Sequence, residues 1–560
     1  MIRSTFSGFN MSKLALMASQ RALDVTGQNL SNINTEGYTR QRLDLASLNP
    51  VGHSIASSAY DAKVGQGVLM TGVSQIRDPF LDIQYRNEVP KVGTVEAKSS
   101  VLDRIGDIFD ESSKEEIRSK LSSIITQLTN LATPDNAGST SADSLVRSAC
   151  EVLLDNIHQN GNAIENVRTE LIDKMNQSVI PQINTYLEEI ANLNVSIRNS
   201  QILGNPALEL QDQRNLMLDE LAKFVPIEVK YVSKDMGGGI KVDTLEVYLR
   251  TNNQNGLDRP ILIQDDKRAG VGFVLDKNTG KGEFGYILPE NMNNVDPINP
   301  DLTKAVSSPI VGVVANTADP DYFDRLDDGI VKGYMDMLNR AETFDDPAND
   351  VKGIGYYQQH FDMFVNTFAT MMNDLNTVKA DDGTILKGGP LFETTDGSDT
   401  FTANNIKLSE GWINGNTKIL LSKADNAGST DYTNVLEMIN AISSDGIKFG
   451  TSANGLEIDP DTGRPNPEKL VFTGTFFECF NNIQNTQAME MQANESLLKN
   501  HQTVVDQVTD SREAISGVNL DEEVMDLMRF SQSYNAASRL MTTMDELLER
   551  LIVNTGVVGR

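Results

Sequence analysis

A chain of 560 residues, 39% of them hydrophobic, carries enough apolar material for three or four packed domains and is not globally disordered. A net charge of −30 argues against a nucleic-acid surface. Two cysteines, Cys150 and Cys479, leave no disulfide framework and no Cys-x-x-Cys site, and the absence of any apolar run of about 18 residues argues against a membrane span.

The charge is unevenly spread. Residues 1–50 carry +2, residues 515–560 carry −3, and the remainder holds −29. Nearly neutral ends can pack closely on identical copies, and an acidic middle suits a solvated outer surface. Solubility alone also explains part of the acidity.

In chain order, Phe9, Leu16, Leu23 and Leu30 recur every seven residues, and beside them run Met11, Ala15, Ala18, Ala22 and Val25. That is the pattern of an amphipathic helix with a narrow apolar stripe. It should stop near Asn34, before Thr35-Glu36-Gly37-Tyr38. Residues 42–78 mix strand and turn character, with Val64–Met70 as a short strand or loop. From Pro79 a helix continues past Pro90 to Phe109, and another runs through Ile117, Leu121, Ile124, Ile125, Leu128 and Leu131. A long helix spans about Ala142 to Ser200, with Pro181 as a kink site, and a shorter one spans Leu208 to Phe224.

The texture changes at Val225. Short, often alternating runs at Val225–Tyr231, Lys241–Leu249, Pro260–Gln264, Gly272–Leu275 and Glu283–Leu288 read as strands, with Asn255-Gly256 as a hairpin-type turn. Helical pattern returns at Gly329 and continues in a stripe of Tyr357, Phe361, Phe364, Val365, Phe368, Met371, Met372 and Leu375, read as bundle core and not a cofactor pocket. Residues 380–470 are β-like again, with turn signals at Asn414-Gly415 and Asn454-Gly455 and one helix at Asn434–Ile442. Helix follows from Phe472 to Ser516 and leads into a last stretch where Phe530, Tyr534, Ala537, Met541, Met544, Leu548 and Leu551 step by four and three. Asn519 or Ser516 caps its start, and Asp521, Glu522 and Glu523 complement the helix dipole.

The predicted fold class is mainly α with β insertions. Residues 1–45 and 515–560 form a terminal coiled-coil domain. Residues 46–224, 329–379 and 471–514 form an elongated helical bundle, and 225–328 and 380–470 are two β-rich inserts. On pattern alone, each terminal stripe fits an ordinary core helix and a coiled-coil seam equally well.

Little in the chain suggests chemistry. His53, His158, His360 and His501 fall in no His-Glu-x-x-His pattern or ligand pair. Residues 276–280 and 459–463 begin like calcium loops but put Gly at the fifth position and lack the closing Glu, so they read as turns. Gly237-Gly238-Gly239 lacks the Lys-Ser/Thr of a phosphate loop, and no nucleophile elbow or dinucleotide fingerprint occurs. Neither catalytic residues nor a metal or cofactor are expected. The hexapeptide Asp-Asn-Ala-Gly-Ser-Thr at 135–140 and 425–430 reads as two exposed turns and has no functional account.

Val25-Thr26-Gly27-Gln28-Asn29-Leu30-Ser31-Asn32-Ile33-Asn34-Thr35-Glu36-Gly37-Tyr38-Thr39-Arg40-Gln41 resembles the N-terminal signature of bacterial flagellar rod, hook and hook-associated proteins. Ser516 to Glu523, with Tyr534-Asn535-Ala536-Ala537-Ser538-Arg539, resembles the C-terminus of the hook-associated members that form the hook–filament junction. Such relatives usually have Ala where Ser31 and Ser533 stand and Tyr-Gln where Phe530-Ser531 stands.

The resemblance implies a structural, non-enzymatic part of the flagellum. It would be exported through the flagellar type III apparatus without a cleaved signal, although composition alone reads as cytoplasmic. It also implies a ring-like homo-oligomer with the hook protein, the next hook-associated protein and an export chaperone as partners. Phe9, Leu16, Leu23, Leu30, Leu520, Tyr534, Met541, Leu548 and Leu551 are then expected subunit contacts. Asn29, Asn32, Gly37 and Tyr38 would set the turn out of the first helix, and Asn519 would start the last one. Three alternatives stay open: another axial protein such as the hook protein, against which Ser516 to Glu523 and the helical bundle at 79–224 argue, an adhesin gripping ligand with its β inserts, and an exported hydrolase housed in an insert.

Overall fold

The computed structural model describes residues 5–48, 67–136, 138–235, 241–250, 260–275, 282–287, 292, 298, 326–339, 352–379, 384–424, 428, 431–451, 457–458, 465–466 and 469–555. The calcium-like segments 276–280 and 459–463, the turns at 255–256 and 454–455, the glycine run 237–239, His53 and much of the repeated hexapeptide lie outside them.

The chain begins with α1 (Thr5–Ser31) and an antiparallel hairpin of β1 (Gln41–Ser47) and β2 (Val68–Gln75). The body follows as α2 (Pro79–Ile108), α3 (Glu111–Leu131), α4 (Thr140–Lys174), α5 (Ile180–Ile202) and α6 (Leu208–Phe224). The expected long helix from Ala142 to Ser200 is two helices, α4 and α5, joined by a π-helical turn at Met175–Val179. Pro181 sits in the first turn of α5, directly after the π-helical turn, where a missing N–H is tolerated.

A four-stranded antiparallel sheet comes next, ordered β3 (Ile227–Asp235), β4 (Lys241–Leu249), β5 (Ile261–Gln264) and β6 (Lys267–Arg268). Beside it pair β7 (Gly270–Leu275) and β8 (Gly282–Ile287). The buried Leu245, Val247, Leu262, Ile263 and Val271 share one apolar core with α5 and α6.

α7 (Ile330–Asn339) and α8 (Ile354–Asn376) return to the bundle. The stripe on α8 is its centre. Phe361 lies 5.8 Å from Phe109 in a T-shaped contact, and Phe364 and Phe368 meet Phe476 at 5.5 and 5.6 Å. The crossing of α7 over α2 is tight. A Cβ on Gly333 would lie 2.5 Å from the Thr94 carbonyl oxygen and 2.7 Å from Ala97 Cβ. Gly333→Ala is therefore expected to lower stability by about 1–3 kcal/mol despite alanine's better helix propensity. Denaturant unfolding checks this, and an unchanged midpoint would show that the two helices can separate freely.

The segment that follows contains two-stranded antiparallel ladders, pairing 377–379 with 385–388, 392–394 with 406–408 and 447–451 with 469–474, together with a short α9 (Glu410–Ile413) and α10 (Thr433–Ser443). Asn414-Gly415 ends α9 and does not join two strands. Side chains of the bundle hold this segment by its backbone. Asn373 Oδ1 accepts from Leu391 N–H and Phe392 N–H, and Asn376 Oδ1 accepts from Leu420 N–H at 2.7 Å. Asp143 on α4 accepts from Trp412 Nε1 and from Ile419 N–H. Trp412 and Phe392 are fully buried against these helices.

The described residues end in two helices, α11 (Phe476–Ser516) and α12 (Leu520–Thr555). A capping box of Thr475 and Glu478 starts α11. This helix runs back along α2, and α12 then leaves the body to lie along α1.

Candidate assembly interface

Both chain ends are anchored where the signature loop meets the break between α11 and α12. Asn29 is the hub. Its Nδ2 donates to the Gln41 carbonyl at 3.0 Å and to Glu523 Oε2 at 3.1 Å, and its Oδ1 accepts from Tyr38 Oη and Gln41 N–H, both at 2.9 Å. All four hydrogen-bonding positions of this buried amide are thus used. Glu523, 2% exposed, also accepts from Arg40 Nε at 2.7 Å, and Arg40 reaches Glu522 and Asp526 as well. Burial disfavours the Arg40 charge, but Glu523 and Glu522 hold it firmly protonated. Burial first, then Asp212, Glu209 and Glu523, push the Tyr38 phenol above its ordinary value, so it stays a donor.

Backbone geometry completes the joint. Gly37 adopts φ +75°, which lets the loop turn against Leu216. Arg40 N–H donates to the Ser516 carbonyl at 2.9 Å, tying the loop to the end of α11. Asn519 Oδ1 accepts from Asp521 N–H at 3.0 Å and caps α12. Asn32 bonds back into its own helix turn and accepts from Thr35.

A second charge network fastens this joint to the body. Arg512 on α11 meets Asp219 of α6 at 2.7 Å and Asp82 of α2 at 3.2 Å, and stacks 4.4 Å over Tyr85. Arg86 meets Asp219 at 2.6 Å. Asp212 accepts from Thr39 N–H at 3.1 Å.

Burial raises the Asp212 carboxyl from 3.8 to about 6, against the pull of Thr39 and Arg77. The folded chain then binds a proton that the unfolded chain has released. The contribution of Asp212 is most favourable below its unfolded value and is lost as pH rises through about 6. Asp212→Asn is neutral at every pH. It is expected to raise the melting temperature relative to the parent more at about pH 7.5 than at about pH 4.5. Equal differences at both would sink this reading.

Along the pair, the surfaces in contact are not the ones with the largest side chains. Ser12, Ala18, Ala22, Thr26 and Asn29 are the buried positions of α1. Phe9, Leu16, Leu23 and Leu30 lie on the flank beside this small-residue seam and remain half-exposed. On α12, Tyr534, Ala537, Met541, Met544 and Leu548 face the seam by their burial, with Met544 against Gly8. Leu520 and Leu551 are 52% and 50% exposed, and Val524, Met525, Leu527, Met528, Leu540, Leu547, Ile552 and Val553 join them. Tyr534, Met541 and Leu548 therefore sit within the chain's own pair, whereas Phe9, Leu16, Leu23, Leu30, Leu520 and Leu551 present apolar surface outward.

Sequence reasoning quoted Arg40 and Gln41 in the signature without a role for them, and it missed Glu523 as the partner of Arg40 and Asp212, Asp219 and Arg512 as anchors. The signal for Glu523 was a third acidic residue in a helix start that needs fewer. Nothing local marks Asp219 or Arg512.

No group of three or more His, Cys, Asp or Glu side chains placed for a metal occurs among the described residues. Cys150 and Cys479 are completely buried, and burial pushes the Cys150 thiol up to about 12. His360 is buried in the α8 core, which lowers its pKa to about 4. His158 Nε2 lies 2.8 Å from the Ile406 carbonyl.

A joined pair of terminal helices anchored to a helical body fits the flagellar axial class that the terminal signatures resemble, and comparison with known families supports that class. Family models described as "Flagella basal body rod protein" and "Flagellar basal body rod FlgEFG protein C-terminal" match residues 10–39 and 512–554. A third, "Flagellar hook-associated protein FlgK helical domain", matches residues 102–259.

Flagellar hook-associated protein 1 of Bacillus subtilis is 27% identical over 100% of both chains. The Salmonella typhimurium protein of that name is 26% identical over 97% of this chain and 99% of its own. The solved flagellar hook junction protein FlgK from Burkholderia pseudomallei matches 56% of this chain and 46% of its own, at 16% identity and a TM-score of 0.40. Over nearly its whole length the chain is thus similar to flagellar hook-associated protein 1 of other bacteria, and it is a structural axial component of the flagellum.

Proposed function

We propose that this chain is the structural piece joining hook to filament, and that it takes its place by packing its paired terminal helices against those of neighbouring copies. The observation that carries this is the mismatch inside the pair. Its own seam on α1 consumes Ala, Ser and Thr, while Phe9, Leu16, Leu23 and Leu30 of α1 stay only half-buried and a row of Leu, Met, Ile and Val on α12 stays exposed. Each such Leu or Phe contributes about 1.5–3 kcal/mol when buried. Exposed apolar surface of this extent on a soluble chain marks an interface.

The working division is a terminal pair (1–45 and 515–560), a body (46–224, 329–379 and 471–514) and two outward inserts (225–328 and 380–470). Order in the terminal pair is graded. The polar joint fixes residues near Asn29 and Glu523 in the single chain, and the far ends depend on neighbours to complete their folding. Coupling of folding to docking restricts growth to an existing template. The partners on this reading are further copies in a ring-like array, the hook protein on one side and the next hook-associated protein on the other. An export chaperone would hold the ends before secretion through the flagellar type III channel.

Deletion of the gene, followed by electron microscopy and an assay of flagellin in the medium, tests the placement. Hooks without filaments and leaking flagellin are expected. Loss of the hooks moves the protein inward to hook or rod, and normal swimming flagella would overturn the reading.

A further inference from the structure

Helical spacing divides the outward surface of the α1–α12 pair into two opposite flanks. One carries Phe9, Leu16, Leu23 and Leu30 of α1 together with Leu527 and Ile552 of α12. The other carries the β1–β2 hairpin and Leu540, Leu547 and Leu551 of α12. At the root of this second flank a groove of about 360 Å³ opens between β1 and α12. Its floor is Ala22 and Val25, and its walls include Leu43, Leu45 and Phe530.

Two guanidinium groups line the rim. The Arg42 and Arg529 side chains are 66% and 65% exposed; Arg42 meets Asp44 at 3.4 Å, and Arg529 meets Asp526 at 3.0 Å and lies 4.8 Å over the Phe530 ring. The first flank has complementary charge near its far end. Asp545 and Glu549 are exposed there, one turn from Met544 and hence beside the Phe9 end of α1, and neither is in an ion pair among the described residues.

We propose that the groove receives the first flank of a second copy of this chain, far end first. Phe9 and Leu16 of that copy lie over Leu45 and Phe530, and its Asp545 and Glu549 meet Arg42 and Arg529. This rests on the terminal pair being the assembly element and adds which faces meet. Exposed ion pairs add little affinity but fix register.

The register has a consequence. Arg529 and Asp545 are separated along one helix by about 24 Å, at 1.5 Å per residue. Their meeting between copies therefore slides one copy along the axis by about that distance. Two unlike faces joined with an axial shift form a heterologous contact, which cannot close as a two-fold dimer or a flat ring and continues as a helical turn about an axis, the form the ring-like array then takes.

Charge exchange in the full chain tests this in cells lacking the native gene. Because every copy carries both faces, Arg529→Glu and Asp545→Arg can be combined in one chain. Each single change is expected to reduce filament number at least tenfold, and the double change to restore it to within twofold. A double variant as poor as the singles would overturn the proposal.

Cysteine crosslinking on isolated flagella guards against misfolded variants, since Cys150 and Cys479 are buried. Cells expressing Leu45→Cys and Asp545→Cys chains together should yield a bismaleimide-linked species of twice 61.5 kDa, and cells expressing either chain alone should not. Linkage of Leu45→Cys chains to each other would show like faces meeting and overturn the proposal. Incorporated protein with no linkage would also overturn it while leaving the assembly role standing. Absence of the parent protein from flagella would remove that role and this inference with it.

Discussion

Arg40→Ala is expected to make both chain ends at least a hundredfold more sensitive to limited proteolysis while leaving the helical body folded. Arg40 is the counter-charge of Glu523, which is 2% exposed at the start of α12. Its removal leaves that carboxylate buried with Asn29 Nδ2 as its remaining described partner, and Glu522 and Asp526 lose the same cation. An uncompensated buried charge costs about 3–5 kcal/mol, a factor of roughly 10² to 10³ in the population of the undocked state. The loss falls on the joint because the described ion pairs of Arg40 go to Glu522, Glu523 and Asp526 at the start of α12. Proteolysis of the purified chain, timed by mass spectrometry, reads the ends, and thermal unfolding reads the body. Unchanged cleavage between residues 5–48 and 516–555 would show that the joint is held by something other than this ion pair.

Leu23→Asp should abolish filament formation without lowering the melting temperature of the body by more than about 2 °C, because a surface substitution away from a core is worth at most about 0.5 kcal/mol. Leu23 lies on the outward flank of α1, half-exposed in the single chain, so the charge is tolerated there. Between copies it loses about 1.5–3 kcal/mol of burial and adds the penalty of a desolvated carboxylate. That loss recurs at every contact of an array. Asp24→Ala, one residue away on the exposed face, is the matched control and should leave motility intact. Normal swimming of Leu23→Asp cells would remove the outward flank from the interface.

The second insert changes how an adhesin role can be tested. Deleting residues 380–470 looks, from the sequence, like removal of a separable β domain. In the fold, that cut would strip Phe392 and Trp412 from the bundle and leave Asn373, Asn376 and Asp143 without the backbone groups they bind. Loss of motility in such a deletion would report a damaged body. Substitution of exposed groups such as Leu386, 64% exposed, is the cleaner probe of a binding role.

The sequence by itself determined the helices, most strands and the importance of both ends. Periods of 3.6 and 2 are local properties of the chain, and so are the Asn519 cap and the turn at Gly37. It also determined that the aromatic stripe from Tyr357 to Leu375 is core, because a helix apolar on so wide a face must be buried.

Only the tertiary structure decided which apolar row pairs inside the chain. Heptad spacing marks the Leu row and the Ala row equally well, and the choice depends on how closely two helices separated by some 500 residues can approach. The small residues won, which left the large ones outward. Tertiary structure also decided the joint. Asn29, Arg40, Asp212, Arg512 and Glu523 come from five distant points, and charge at one of them has no local period that announces the other four. The π turn just before Pro181 was likewise not legible in the apolar spacing, which runs on through both helices.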